Sequence, residues 1–95
     1  MTKQEVLNYL SSHKEKFQSD FGVIKIGLFG SFARDQATNE SDVDLVIEMF
    51  PKSLAKRMAF KKQVEEDLNR SLDVGYMSTL RSFIAKEVAK DVIYV

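Results

Sequence analysis

The chain has 95 residues, and its 14 Lys and Arg balance 14 Asp and Glu, for a formal net charge of zero. Hydrophobic residues make up 44% of the sequence, enough for one core and one domain spanning 1–95. The absence of Cys excludes disulfide scaffolds, cysteine zinc sites and thiol nucleophiles, and the neutral total argues against holding nucleic acid on a basic surface.

No stretch approaches the ~18 apolar residues of a membrane span. The opening Met1-Thr2-Lys3-Gln4-Glu5 has neither the basic start nor the apolar run of a signal peptide. The expectation is a cytoplasmic protein with no membrane association.

The first predicted element is a helix from Thr2 to about Ser19. Val6, Leu10, His13 and Phe17 share a face at helical spacing, and Thr2 with Glu5 forms a capping-box pattern. His13, the sole histidine, reads as a residue at the core edge. Val23–Phe29 reads as a strand with Ile24, Ile26 and Leu28 on one face, opened by Gly22 and closed by Gly30. Gly30-Ser31 leads into a short helical turn at Phe32-Ala33-Arg34, and the polar run from Asp35 to Ser41 reads as a loop.

Asp42–Met49 reads as a second strand, with Val43, Leu45 and Ile47 facing one way and Asp42, Asp44 and Val46 the other. Pro51 stops it. A helix follows from Ser53 to about Asn69, with Leu54, Met58, Val64 and Leu68 expected as its buried stripe and Phe60 nearby. Ser71–Tyr76 reads as a third strand, Ser78 as the cap of a last helix carrying Leu80, Ile84 and Val88, and residues 91–95 as a short terminal strand. The order α-β-α-β-α-β-α predicts an α+β domain, a small mixed sheet of three or four strands packed with helices.

The chemistry gathers between Gly30 and Asp73. Asp is disfavoured in strands, yet Asp42 and Asp44 interrupt a strong strand pattern. Spaced by two, their carboxylates share a face about 7 Å apart at Cα. They repel each other unless a cation lies between them, and hard divalent ions take such oxygen ligands together with substrate phosphates. Gly30-Ser31 stands at a strand end before a helical turn, where backbone N–H groups and a hydroxyl can receive phosphate. The Lys of the P-loop pattern is absent. Asp73, again an acid in a short apolar strand, would join the pair if its strand lies alongside. Three carboxylates on adjacent strands make a metal and general-base site for phosphoryl transfer.

The stretch GLFGSFARDQATNESDVDLVIE resembles the signature of the DNA polymerase β-type nucleotidyltransferase superfamily, in which a Gly-Ser pair precedes Asp-x-Asp by ten residues; residues 32–41 fill that interval here. The short length resembles the branch of minimal nucleotidyltransferases. The resemblance implies a nucleotidyltransferase fold, with Gly30, Ser31 and Arg34 binding ATP or another nucleoside triphosphate. It implies Asp42, Asp44 and Asp73 as catalytic residues binding Mg²⁺. It also implies a helical HEPN-domain partner, a toxin for which this chain would be the antitoxin, neutralising it by adding AMP to a tyrosine hydroxyl. One departure is visible: the family usually has Gly after the Arg, and this chain has Asp35. That acid, and the small size, favour a rival reading as a catalytically weak module that neutralises a partner by contact. Transfer to a small molecule and templated nucleic-acid synthesis are weaker readings, because no segment remains to grip such substrates.

Overall fold

The computed structural model describes residues 1–79 and 89–95. Ser78 lies in a 3-10 turn, Met77–Thr79, where its hydroxyl accepts a 2.6 Å hydrogen bond from Lys52 Nζ, and the start of the last helix it is expected to cap falls outside the described residues. Leu80, Ile84 and Val88 lie outside the described residues.

Helix α1 spans Lys3–Phe21. Both arms of the capping box form at Thr2, and Gly22 ends the helix in the left-handed region at φ 75°, where its N–H meets the carbonyls of Gln18 and Phe17. Strand β1 is Val23–Phe29, the short helix α2 is Gly30–Ala33 and strand β2 is Val43–Met49. Helix α3 runs Leu54–Leu68, capped by the Ser53 hydroxyl and closed by Asn69 at φ 53°. Strands β3, Leu72–Tyr76, and β4, Ile93–Tyr94, complete a four-stranded sheet of order β3-β2-β1-β4. β1 is antiparallel to β2 and β4, whereas β2 and β3 are parallel. The result is the mixed α+β sandwich that the element order predicts. Among the described residues no helix is long and apolar enough to cross a membrane.

One face of the sheet builds the core. Val43, Leu45 and Ile47 are completely buried together with Val6, Leu10 and Phe17 of α1 and Phe60 and Val64 of α3. Phe17 and Phe60 meet edge to face with centroids 5.0 Å apart, which ties the two helices together over the strands. His13 sits at the rim as expected, stacked 5.7 Å from Phe17 with Nδ1 2.9 Å from the Tyr9 carbonyl.

Two expectations about burial fail. Ile24 is exposed while Val23 is buried, because the β1–β2 register shifts between Val23 and Lys25 and the extra residue reverses the alternation before Ile26. In α3 the buried stripe is Phe60, Val64 and Leu68, whereas Leu54 and Met58 are 63% and 61% exposed. At about 100° per residue the helix turns those two roughly 80–120° away from Val64, so one helix cannot bury both sets against the same sheet.

Candidate active site

The backbone delivers the predicted residues to one end of strands β1, β2 and β3. Register pairs Phe29 with Asp44 across β1 and β2, and Asp44 with Asp73 across β2 and β3. Side chains paired across adjacent strands share a face, so Asp73 joins the Asp42–Asp44 side, opposite Val43 and Leu45. Asp42 is exposed in the loop residue just before β2, which begins one position later than the strand start expected for it.

Gly30 is fixed twice over. Its φ is 75°, a conformation that side chains resist, and a Cβ added there would stand 2.2 Å from Asp44 Oδ2 and 2.9 Å from its Cγ. The Asp44 carboxylate therefore packs on the bare Cα of the turn. Ser31 follows, half-buried, and no side chain caps the start of α2, leaving its first N–H groups to another acceptor.

The carboxyl of Asp44 titrates above the usual carboxylate range. Burial is the main cause, followed by the charges of Asp73 and then Asp42, with Arg34 opposing them. The three acids thus sense one another, and a positive charge among them would relieve the cost. Among the described residues no three acidic or histidine side chains are gathered closely enough to hold a metal as they stand. The donor chemistry nonetheless fits a hard divalent cation: carboxylate oxygens on one face, an elevated Asp44, and the bare Gly30 Cα beside it.

Arg34 closes α2, with Nη1 3.2 Å from Asp91 Oδ2 and Nε donating to Gln36 Oε1 at 3.1 Å. Asp35, the residue in place of the usual Gly, adopts φ 57°, the left-handed conformation for which Gly is suited. Its carboxylate is 68% exposed and ion-pairs with Lys3 Nζ at 2.8 Å, tied to the start of α1.

Sequence reasoning missed Arg70. Its Nη1 lies 3.3, 3.3 and 3.2 Å from the carbonyls of Thr38, Asn39 and Ser41, and its guanidinium lies 5.2 Å from the Phe32 ring centroid. One side chain thus braces both the loop that ends at Asp42 and the turn that follows Gly30. The run Asn69-Arg70-Ser71 carries no local signal of this, since every partner lies about thirty residues or more upstream.

The model of the nucleotidyltransferase domain family matches residues 10–95. The chain belongs to that family. Its activity class is nucleotidyl transfer. The protein adenylyltransferase MntA of Thermococcus cleftensis is 38% identical over 97 residues, covering 100% of this chain and 97% of that protein. A solved structure assigned to the minimal nucleotidyltransferases superposes with a TM-score of 0.82 at 21% identity, covering 98% of this nucleotidyltransferase and 95% of that chain. A complex of the tri-AMPylated Shewanella oneidensis HEPN toxin with its MNT antitoxin gives a TM-score of 0.69 at 14% identity, covering 98% of this chain and 71% of the other.

Proposed function

We propose that this single domain, residues 1–95, is the antitoxin of a HEPN-type toxin and acts in the cytoplasm by transferring AMP from ATP to a hydroxyl of that partner protein. The observation that carries the chemistry is the register row Phe29–Asp44–Asp73 with the Gly30 turn packed on the Asp44 carboxylate, which sets the Gly30-Ser31 turn against paired carboxylates on neighbouring strands. The activity of the Thermococcus cleftensis relative supplies the class of acceptor, and the AMPylated toxin complex supplies the partner.

In this reading Gly30 and Ser31 receive the triphosphate through backbone N–H groups and the Ser31 hydroxyl. Arg34 faces its charge. The acceptor oxygen attacks the α-phosphorus in line, the bond from that phosphorus to the bridging oxygen breaks, and pyrophosphate leaves with the electron pair. Asp73 takes the hydroxyl proton and passes it to solvent. Asp42, Asp44 and Asp73 would hold Mg²⁺, which supplies neutralisation of charge developing on the phosphate oxygens. The protein's own contribution is positioning and an electrostatic environment fixed in advance.

The rival reading, neutralisation by contact alone, is favoured by the acid at position 35 and by the small size. With that carboxylate paired to Lys3, its charge is partly answered. The deciding test is mass spectrometry of the partner after incubation with ATP and Mg²⁺. Wild type should add AMP, while the Asp42→Asn/Asp44→Asn double variant should lose at least 1,000-fold in rate with an unchanged circular dichroism spectrum. Unmodified partner in a stable complex with the wild type would establish the rival instead.

A further inference from the structure

The failure of Leu54 and Met58 to enter the core has a consequence at the site. On the α3 helical wheel these two fall on one face with Lys61, Lys62 and Glu65, turned away from Phe60, Val64 and Leu68. That face and the outer strand β3 enclose a groove of about 580 Å³, with Asp73 and Val74 on its far wall. The strand that carries Asp73 of the proposed catalytic row therefore also borders a separate, partly apolar groove.

The groove carries more basic than acidic side chains. Arg57, Lys61 and Lys62 line it, and neither lysine has an ion-pair partner among the described residues. Of the two acids present, Glu65 is already engaged, accepting the Leu72 N–H at 2.9 Å, and Asp73 belongs to the carboxylate row. Phe50, four residues before Leu54 in the chain, is 77% exposed. Exposed Met and Leu set among Arg and Lys suit a protein partner better than a small acceptor.

Position across the sheet gives the groove its role. Gly30 lies at the end of β1, Asp44 on β2, Asp73 on β3, and the groove beyond β3. In-line transfer needs nucleophile and leaving group on opposite sides of the phosphorus. With the triphosphate at Gly30, Asp73 stands at the far end of the row, on the strand that borders the groove. We infer that the α3–β3 groove docks the acceptor segment of the partner protein, a stretch carrying acidic side chains for Lys61 and Lys62 and an apolar side chain for Leu54 and Met58 beside the reacting hydroxyl. This inference rests on the transfer reading above and adds to it the place and chemistry of acceptor recognition.

The test uses the exposed pair Lys61→Glu/Lys62→Glu and, as a variant without charge change, Met58→Ser. AMP transfer is measured to the HEPN-type partner and to two tyrosine peptides, one flanked by glutamates and one by lysines. The double variant should raise KM for the partner at least tenfold while KM for ATP stays within twofold. Its peptide preference should reverse from glutamate-flanked to lysine-flanked, and Met58→Ser should raise the partner KM several-fold. An unchanged partner KM in both variants overturns the groove assignment alone, as does a rise confined to the ATP KM, which would make the lysines a phosphate contact. Absence of transfer by the wild type to every acceptor overturns the transfer reading and this inference with it.

Discussion

Strand β2 serves two regions at once, and they obey different rules. On one side Val43, Leu45 and Ile47 are fully buried against α1 and α3. On the other, Asp44 is half-buried next to Asp73 and under Gly30, and Asp42 is exposed. The pleat alone separates an apolar face that stabilises the fold from an acidic face, proposed as the reactive one, whose carboxylates cost stability. Because alternate residues of one rigid strand hold both, the carboxylates gain a fixed backbone without contributing to the core themselves.

The strongest way to break that separation is a pair of small substitutions on either side of it. Gly30→Ala places a Cβ against the Asp44 carboxylate and forces a side chain into positive φ. It should lower AMP transfer about 100-fold, the order of loss expected from an ångström-scale misplacement of reacting groups, with the fold retained. Leu45→Ala should do the reverse, costing about 2–5 kcal/mol in denaturant unfolding while kcat at low temperature stays within about threefold. Equal damage to both properties by either variant would show that the faces are coupled.

A smaller effect sharpens the cost of the acidic face. The Asp44 carboxyl titrates above its unfolded value, so the folded state holds that proton more tightly. Stability from this group therefore falls as pH rises from the unfolded pKa, about 3.9, through the folded one, and the full penalty persists above both. Asp44→Asn should then raise the melting temperature at pH 7, with little gain below pH 3.5. Mg²⁺ should raise the melting temperature of wild type more than that of the variant. A variant less stable than wild type at pH 7 without metal would contradict this account of the acidic face.

The smallest effect concerns Asp35. Asp35→Gly removes the exposed ion pair with Lys3 and relieves a positive φ. Surface pairs are worth about 0–1 kcal/mol, so urea unfolding should shift by less than about 0.5 kcal/mol and KM for ATP by less than twofold. A tenfold fall in that KM would place the Asp35 charge among the determinants of nucleotide affinity.

Much of this molecule is legible locally. The Thr2–Glu5 capping box, the left-handed turns at Gly22 and Gly30 and the valine-rich alternation of β2 depend on neighbours within a few residues. The Gly-Ser and Asp-x-Asp spacing is equally local, which is why Gly30, Ser31, Asp42 and Asp44 stand out in the sequence by themselves. The remainder depends on long-range geometry. Only strand pairing sets Asp73 beside Asp44, only the bulge in β1 turns Ile24 outward, and only the sheet's choice of a face on α3 exposes Leu54 and Met58. Arg70 braces a loop some thirty residues upstream, and Lys3 pairs with Asp35 from the other end of that stretch of chain. Residue type and spacing thus determined which groups can do the chemistry. Register and helix rotation, set by burying one common apolar face, decided which of them meet and which α3 side chains remain exposed.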